Sequence, residues 1–496
     1  MTTAADERGD IARGGALSLI GASLSAVLGL VLTVVLARSL GDYGSGVVLQ
    51  AMSVFAIVLS IAKFGLDSTS VWLLPRVLID DPRDVPAALS TILLLTVATS
   101  SVVTLVVQAL VPHIWPETSA VGQAVRMAVW FIPAGALVLV MGSAVRALGT
   151  VRDYVLLGNI ALPALRLPAV TIAAAAASSL TTVSLAWAAP NVLVALLLAV
   201  TLMRLQQRPG YARPTRASMR RYGRPIARFA SPRTVSAGLE QSLLWLDVLI
   251  VGLVAGPAAA GLYGGASRFV QAGLVIDSAL RVVVSPRLSS LIHQRDISST
   301  QNLYSIASVW LVLFASPLYI VLAVFSPLIL SILGSSFVAG SWALTILCVG
   351  ATVTFLAGNI HSVLLMSGRS GLASINKAIV LVLNVAGNVL LIPLWGINGA
   401  AFAWAVAMVA DATLAGVQVW RVVGVRFRIA EVLRALLVGV STLGVASALA
   451  ALFLGQSWFA FAVALLAGGA AYVCLCIRLR RRLYLDGLRG VILRRG

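Results

Sequence analysis

Long runs of apolar residues fill most of the 496-residue chain, and short segments rich in glycine, proline or charge separate them. A membrane-spanning helix needs about twenty consecutive apolar residues. Fourteen runs approach or exceed that length. They cover roughly residues 14–37, 44–66, 87–111, 125–148, 154–177, 182–203, 229–255, 259–284, 303–325, 341–366, 374–394, 397–420, 431–454 and 457–477. The pattern predicts an all-α integral membrane protein with about fourteen transmembrane helices.

Basic residues are distributed unevenly between the segments that join these runs. With the N-terminus inside, the inner segments carry nearly all of the arginines, and the outer loops show only Arg38 and Arg126. Since basic loops remain on the cytoplasmic side, both termini are expected in the cytoplasm. A missed or extra span would place a basic cluster outside, so the asymmetry also supports the count.

The strongest internal cluster of positive charge is residues 204–228, which hold eight arginines and no acidic residue. We interpret this stretch as a cytoplasmic linker between an N-terminal lobe (1–203) and a C-terminal lobe (229–420). Two further spans (421–477) and a basic cytoplasmic tail (478–496) are expected to follow.

Turn sequences recur at a nearly constant separation, which indicates an internal repeat. Gly44 follows span one and Gly261 follows span seven, with a numbering offset of 217 (261 − 44). Gly149 ends span four and Gly368 ends span ten, with a numbering offset of 219 (368 − 149). Six spans precede the second copy, so both copies enter the membrane from the same side. We expect two six-helix lobes in a parallel repeat, plus two C-terminal helices.

Composition agrees with a membrane protein and disfavours other classes. The chain is 60% hydrophobic and 11% charged, with a mean hydropathy of +1.00, whereas soluble chains are about 25% charged. A net charge of +19 would suggest nucleic acid in a soluble protein. Here the arginines flank apolar runs, so the positive-inside rule explains the charge and no nucleic-acid partner is expected.

Enzyme signatures are missing from the sequence. It has no phosphate-binding glycine loop, no metal-ligand spacing and no soluble segment long enough for a catalytic domain. We therefore expect a protein that is not an enzyme and that uses no cofactor or metal.

Ionisable side chains within spans are the candidates for function. Each costs about 2.5–3.5 kcal/mol on insertion scales and usually faces a cavity or a partner. They are Lys63, Asp67, Arg166, Arg233, Glu240, Asp247, Arg268, Asp277 and Asp411.

Arg166 lies between Pro163 and Pro168, which kink the helix and free backbone groups. A guanidinium at a kink suits a cavity for an anion, because it binds phosphate with two parallel hydrogen bonds. The alternative is a structural arginine that reaches the interface or pairs with an acid.

A polar stripe runs along span seven, where Arg233, Glu240 and Asp247 follow each other at intervals of seven residues. This spacing places all three on one helix face. The stripe indicates either a water-lined path for a cation or substrate, or structural pairing with Arg268 or Arg281 on the next span.

Three more charged residues have two interpretations each. Arg38 and Arg126 lie at the outer ends of spans and either anchor them or bind a ligand. Asp411 either binds a coupling ion or forms a hydrogen bond to a neighbouring helix. We interpret His361 and Asn359 as interhelical contacts.

Several stretches, in this order, resemble one known family. They are LARSLGDYGSG (36–46), KFGLD (63–67), LDVLIVG (246–252), AGLYGGASR (260–268), SPRL (285–288), LMSGR (365–369), LN (383–384) and IPLWGINGAA (392–401). The chain is similar to the polysaccharide-transporter branch of the multidrug/oligosaccharidyl-lipid/polysaccharide exporter superfamily, which includes flippases for undecaprenyl-diphosphate-linked oligosaccharides.

The resemblance implies a flippase of the bacterial cytoplasmic membrane. Two lobes would enclose a cavity that opens alternately inward and outward and carries a polyprenyl-diphosphate-linked oligosaccharide to the outer leaflet. It implies that an anionic head group meets some of Arg166, Arg233, Arg268, Arg38 and Arg126. Coupling to Na⁺, H⁺ or membrane potential would involve some of Glu240, Asp247, Asp411 and Asp67. The expected partners are the lipid-linked glycan, the bilayer, a polysaccharide polymerase and glycosyltransferases, with a monomer as the transport unit.

Three alternatives stay open. They are a lipid II-type flippase, a cation-coupled multidrug exporter of the sister branch, and a membrane scaffold that recruits glycosyltransferases. A scaffold would tolerate loss of Arg166 and of the polar stripe in span seven, whereas a flippase would not.

Overall fold

The computed structural model describes residues 4–176, 179–207 and 211–486, and every regular element in these ranges is a helix. The predicted all-α membrane fold is confirmed. Parts of the predicted linker and basic tail, including Arg208, Arg489, Arg494 and Arg495, lie outside the described residues.

Packing divides the chain into two compact units, one ending at Gly261 and the other beginning at Leu262. The lobe boundary that the sequence places in 204–228 stays a prediction. The helices of the first unit are α1 (Ala4–Ala62), α2 (Leu66–Asp80), α3 (Val85–Ile114), α4 (Ala120–Val129), α5 (Ile132–Leu148), α6 (Val151–Asp153), α7 (Ala161–Ala175), α8 (Leu180–Ala188), α9 (Pro190–Gln206) and α10 (Arg216–Ala255).

The helix that follows α10 crosses the boundary between the units, and the remaining helices belong to the second unit. They are α11 (Pro257–His293), α12 (Ile297–Val324), α13 (Ser326–Ser331), α14 (Ser341–Leu356), α15 (Ile360–Met366), α16 (Ser370–Trp395), α17 (Ile397–Val423), α18 (Ile429–Gly439), α19 (Val445–Leu454), α20 (Trp458–Val463) and α21 (Gly469–Arg478).

Eleven helical segments of the described residues are long and apolar enough to cross a membrane, or thirteen if each of two bent pairs counts as one span. The bent pairs are α4 with α5, at 46°, and the two parts of α11, at 42°. The expected count of fourteen is therefore not confirmed. One of the eleven segments, Ile20–Asp80, would be roughly 90 Å long if straight, about three times the hydrocarbon thickness.

Gly41 interrupts α1, and Gly256 separates α10 from α11, with nearly the same backbone geometry. The φ and ψ angles are 68° and −170° at Gly41, and 88° and 169° at Gly256. Only glycine adopts such angles at low cost. The numbering offset between the two positions is 215 (256 − 41), close to that of the predicted repeat. Backbone conformation thus repeats together with the turn sequences.

The second half of the predicted linker is helical, because α10 begins at Arg216. Thr215 caps this helix: its hydroxyl accepts a hydrogen bond from the Ser218 backbone N–H at 3.2 Å, and the Ser218 hydroxyl accepts one from the Thr215 N–H at 3.0 Å. Tyr222 and Ile226 are buried against the first unit's core. The first turns of α10 therefore form an extension of the membrane helix that packs against this unit.

Candidate functional site

Arg166, on α7, rests on the face of Trp187, on α8. Its Nε donates a hydrogen bond to the Trp187 carbonyl oxygen at 3.0 Å, and its guanidinium carbon lies 4.0 Å from the indole centroid. The side chain is half-buried, and no acidic residue in the described part of the chain pairs with it. An aromatic face attracts a cation without neutralising it, so Arg166 keeps its positive charge for another partner.

The support beneath Arg166 is rigid. Trp187 is 5% exposed and meets the Phe55 ring edge-on, with centroids 5.1 Å apart. The segment Tyr154–Ile160, just before α7, is a π-helix. Such widened turns are common at functional sites because they re-aim the side chains of a helix. The structure thus places a fixed guanidinium shortly after an irregular helical segment.

Arg233 meets the turn between α1 and α2. Its Nη2 donates to the Ser68 hydroxyl at 3.3 Å, and a Cβ on Gly65 would lie 2.9 Å from the Arg233 Cβ. In the same turn, the Lys63 ammonium lies 2.7 Å from Asp67 Oδ2, while Asp67 Oδ1 has no hydrogen-bond partner among the described residues. The structure therefore brings together Arg233 and the Lys63–Asp67 pair, which are far apart in sequence.

The three charged residues of the polar stripe in span seven differ in their exposure. Arg233 and Glu240 are exposed, whereas Asp247 is only 5% exposed. In the second unit, Arg268 donates from Nη1 to Gln271 Oε1 at 2.7 Å, and Arg281 pairs with Asp277 at 2.6 Å on the same helix. Pairing of the stripe with Arg268 or Arg281 stays a prediction.

Asp411 lies within a cluster of charged residues on three helices of the second unit. Its Oδ2 accepts a hydrogen bond from the Lys377 ammonium of α16 at 2.6 Å. The His361 Nε2 of α15 lies 3.3 Å from the same oxygen. The Asp411 side chain is 4% exposed, and its Oδ1 has no hydrogen-bond partner in the described residues. Asp411 therefore joins neighbouring helices and also retains one open acceptor oxygen.

Polar side chains surround this cluster. Asn376 and Gln418 exchange two hydrogen bonds, at 2.8 and 2.7 Å, between α16 and α17. The Ser362 hydroxyl donates to Asn359 Oδ1 at 2.5 Å, while Asn359 Nδ2 is buried without a partner in the described residues. This bond of Asn359 is local to the start of α15, so the expected interhelical contact stays a prediction and one donor is unused. Unused buried donors and acceptors are typical of sites that hold water or an ion.

Arg38 and Arg126 are exposed near helix ends. Arg38 precedes the Gly41 break by three residues, and Arg126 lies 3.7 Å from Glu117 in an exposed ion pair. Exposed pairs of this kind contribute little to stability. The positions fit anchoring of helix ends, and a role in substrate binding stays a prediction for both.

Lys377 is the member of the Asp411 cluster that the sequence pattern did not single out. It lies near the start of its span, where it counts as one more inner basic residue. A signal was present, since Lys63 and Lys377 are the only lysines in the chain. Both pair with an aspartate within 2.7 Å.

Comparison with known proteins places the chain in a family. The family described as "Polysaccharide biosynthesis protein" matches residues 11–292, more than half of the chain. The chain belongs to the polysaccharide biosynthesis protein family. This confirms the resemblance derived from the turn sequences.

A curated relative from Haloferax volcanii bears the name "Probable low-salt glycan biosynthesis flippase Agl15". It is 28% identical over 196 residues, which are 38% of this chain and 40% of the relative. The match thus spans less than half of that protein.

Solved structures share the fold of this family member over nearly its whole length. "Lipid II flippase MurJ, inward closed conformation" aligns with a TM-score of 0.74 and 15% identity, covering 94% of this chain and 99% of that one. An inward-facing multidrug resistance MATE transporter of the MOP superfamily aligns with a TM-score of 0.67 and 12% identity, covering 83% and 96%. At these identities the likeness establishes the fold alone.

Proposed function

We propose that this chain moves a polyprenyl-diphosphate-linked oligosaccharide from the inner to the outer leaflet of a bacterial cytoplasmic membrane by alternating access. Membership of the polysaccharide biosynthesis family supports the class of cargo, and the fold shared with MurJ and MATE structures supports transport. The observation that carries the proposal is Arg166, a cation on an aromatic base with no acidic partner among the described residues.

Arg166 has the chemistry that a diphosphate head group requires. Nε is occupied by the Trp187 carbonyl, which fixes the plane of the guanidinium. The two terminal amino groups then remain to donate parallel hydrogen bonds to phosphate oxygens. In a low-dielectric cavity, such charge-assisted bonds are worth about 1.5–3 kcal/mol each. We assign Arg166 as the main contact and Arg233 and Arg268 as further contacts to the anionic head.

Other parts of the proposal concern surroundings and partners. The prenyl tail stays in lipid, and the transport unit is one chain. A polysaccharide polymerase and glycosyltransferases receive and supply the lipid-linked glycan. Transport draws on an ion gradient or on the membrane potential, with candidate acidic residues at Asp67, Glu240, Asp247 and Asp411.

Lipid analysis tests the cargo. Lipids are extracted from cells with and without this chain and compared by mass spectrometry. Build-up of one polyprenyl-diphosphate glycan in its absence supports the proposal and identifies the sugar. An unchanged profile with an intact surface polymer overturns it and favours a multidrug exporter or a scaffold.

A lipid II-type flippase is the second candidate, favoured by the TM-score of 0.74 with MurJ. Build-up of the peptidoglycan precursor in the same spectra would select it.

Complementation separates the role of Arg166 from a general loss of positive charge. Arg166→Gln is expected to leave the build-up uncorrected, because the head group loses its main cation. Arg434→Gln serves as the matched control, since Arg434 is an exposed arginine of α18. Equal correction by both variants contradicts the assignment, provided that both reach the membrane in equal amounts.

Membrane orientation can be measured independently of transport. Single cysteines replace Ala217, in the basic start of α10, and Thr118, before α4, in a background without Cys348, Cys474 and Cys476. A membrane-impermeant maleimide applied to intact cells should label Thr118→Cys and spare Ala217→Cys. The reverse result would place the termini outside.

A further inference from the structure

We propose that His361, Asp411 and Lys377 form a proton-binding site in the second unit, in which the Lys377 ammonium takes the place of a bound metal cation. Its role in driving transport rests on the proposed function, but its binding of a proton does not.

The geometry gathers three titratable groups at one carboxylate oxygen. Asp411 Oδ2 lies 2.6 Å from Lys377 Nζ and 3.3 Å from His361 Nε2. The carboxylate is 4% exposed, whereas the lysine and histidine side chains are 28% and 22% exposed. Since the Lys377 ammonium is already protonated, His361 is the basic side chain of the cluster that can accept a proton.

Charge balance makes this cluster sensitive to one proton. With neutral His361, the Lys377–Asp411 pair has no net charge. A proton taken up at His361 leaves a net charge of +1 on groups set within the membrane helices, which is costly in a low-dielectric region. Transfer of this proton to Asp411 leaves the net charge at +1, now on Lys377, and withdrawal of the Lys377 ammonium toward water then relieves it. Proton uptake thus loosens the contact between α16 and α17.

The donor set favours a proton over a metal ion. Hard cations bind several oxygen ligands. Here one oxygen of Asp411 is already held by an ammonium and approached by an imidazole, and only Oδ1 lacks a partner among the described residues. The ammonium charge also repels a second cation. The open Oδ1 is a suitable acceptor for a proton or a proton-carrying water.

Neighbouring elements contribute few other charges. α14, which packs against α17, has no charged residue, and Lys377 is the one charged residue of α16. Arg421 lies about 15 Å farther along α17, at a rise of about 1.5 Å per residue. α11 reaches the cluster through Ser285, whose hydroxyl donates to Ser362 Oγ at 3.2 Å.

The charged residues of α11 near this contact either pair within their own helix or are exposed. Asp277 and Arg281 form their own pair, and Arg287 is exposed. Arg268, farther back on the helix, donates to Gln271. Histidine is the residue type that ordinarily changes its charge near neutral pH, and His361 is the histidine of this cluster.

Histidine NMR provides a test that needs no substrate. The chain has three histidines, so His113→Gln with His293→Gln leaves His361 as the single signal in ¹⁵N-histidine-labelled protein. We expect this signal to shift with pH, and Asp411→Asn to move the midpoint of that shift, because the variant no longer places a carboxylate beside the ring. Asp277→Asn is the matched control and should leave the midpoint unchanged. A His361 signal that does not titrate, or that ignores Asp411→Asn, overturns the site.

Transport in proteoliposomes tests the coupling. Glycan flipping should respond to a pH gradient and be indifferent to Na⁺. His361→Gln should abolish the pH response while leaving the Lys377–Asp411 pair intact. The double variant Lys377→Asp, Asp411→Lys exchanges the two charges. It should keep the ion pair and the fold but lose the response to the pH gradient. A response preserved in both variants would show that the cluster is only structural.

The two assays distinguish the failure of each proposal. If His361 titrates with Asp411 and no glycan moves under any gradient, the proposed cargo is wrong and the proton site stands. If glycan moves without any dependence on pH, the cargo stands and the coupling is wrong.

Discussion

Gly46 packs so closely against Pro257 that a Cβ at position 46 would lie 1.8 Å from the Pro257 carbonyl oxygen. The contact is reciprocal, since a Cβ on Gly261 would lie 2.1 Å from the Asp42 carbonyl oxygen. Gly46 comes five residues after Gly41, and Gly261 comes five residues after Gly256. Gly41 and Gly256 both have a positive φ. The two turns of the predicted repeat therefore press against each other through backbone atoms.

Gly46→Ala should destabilise the protein because the added methyl group forces the two turns apart. Overpacking of this kind costs about 1–3 kcal/mol in free energy of unfolding. Gly29→Ala is the control on the same helix, where a Cβ would meet nothing within 4 Å. Alanine there should be neutral or stabilising, because glycine is a poor helix former. Thermal unfolding of purified protein in detergent measures both, and equal melting temperatures would contradict the close contact.

Arg166→Lys should separate the charge of Arg166 from its geometry. Lysine keeps the positive charge, but its compact ammonium cannot form the parallel pair of bonds that a planar guanidinium forms with phosphate. We expect flipping between that of the wild type and that of Arg166→Gln, with a loss of about tenfold for one missing charge-assisted bond. Initial rates in proteoliposomes give the order of the three proteins. Wild-type rates in Arg166→Lys would show that charge alone suffices.

Tyr304→Phe should loosen the break between α14 and α15. The Tyr304 hydroxyl donates to the Ala357 carbonyl oxygen at 2.6 Å, and the next residue, Gly358, has a φ of 62°. Removing the hydroxyl leaves a partly buried carbonyl without this donor, and an unpaired buried acceptor costs about 1–3 kcal/mol. Tyr43→Phe is the control, since Tyr43 is 51% exposed. A lower melting temperature is expected for Tyr304→Phe alone, and an unchanged one would refute the role of this bond.

Asp296 gives stability a dependence on pH outside the membrane. It caps α12, where hydrogen bonds from Ser299 and Ser298 lower the pKa of Asp296 to about 2. The folded-state pKa is depressed, so the stabilisation is complete above the ordinary pKa of about 3.9 and is lost as the pH falls through about 2.

The Asp296 cap is tested by melting curves across this range. Asp296→Ala should lower the melting temperature at neutral pH, and the difference from wild type should shrink below about pH 4. Asp296→Asn retains an acceptor oxygen but cannot ionise, so its loss relative to wild type should be smaller at neutral pH and should also shrink as the wild-type carboxylate becomes protonated. A difference that stays constant down to the lowest pH would exclude the carboxylate as its source.

Sequence patterns identified the membrane class, the turns and most of the charged residues, because each depends on residues close together in the chain. Arg166 was recognisable between its prolines. Its support, Trp187, was not, because their contact arises from the packing of α7 against α8. Lys377 and Asp411 are likewise far apart in sequence and meet only when α16 and α17 pack.

The start of α10 shows how local and tertiary signals combine. The run of arginines led to the interpretation of a linker, yet Thr215 and Ser218 form a capping box that begins a helix. Burial of Tyr222 and Ile226 in the core then stabilises that helix. A run of charged residues indicates that a segment is exposed to water. It does not distinguish a basic loop from the basic face of a helix.

The π-helical segment Tyr154–Ile160 has a consequence for which length changes the chain tolerates. A π-turn holds one more residue than an α-turn, so it is equivalent to a one-residue insertion absorbed locally. Deleting a residue within 154–160 could restore an ordinary helix and leave Arg166 above Trp187. The same deletion between Ile160 and Arg166 would rotate the guanidinium by about 100° away from the indole, since an α-helix has about 3.6 residues per turn. Deletion of a residue within 154–160 should therefore preserve the contact between Arg166 and Trp187, whereas deletion of a residue between Ile160 and Arg166 should break it.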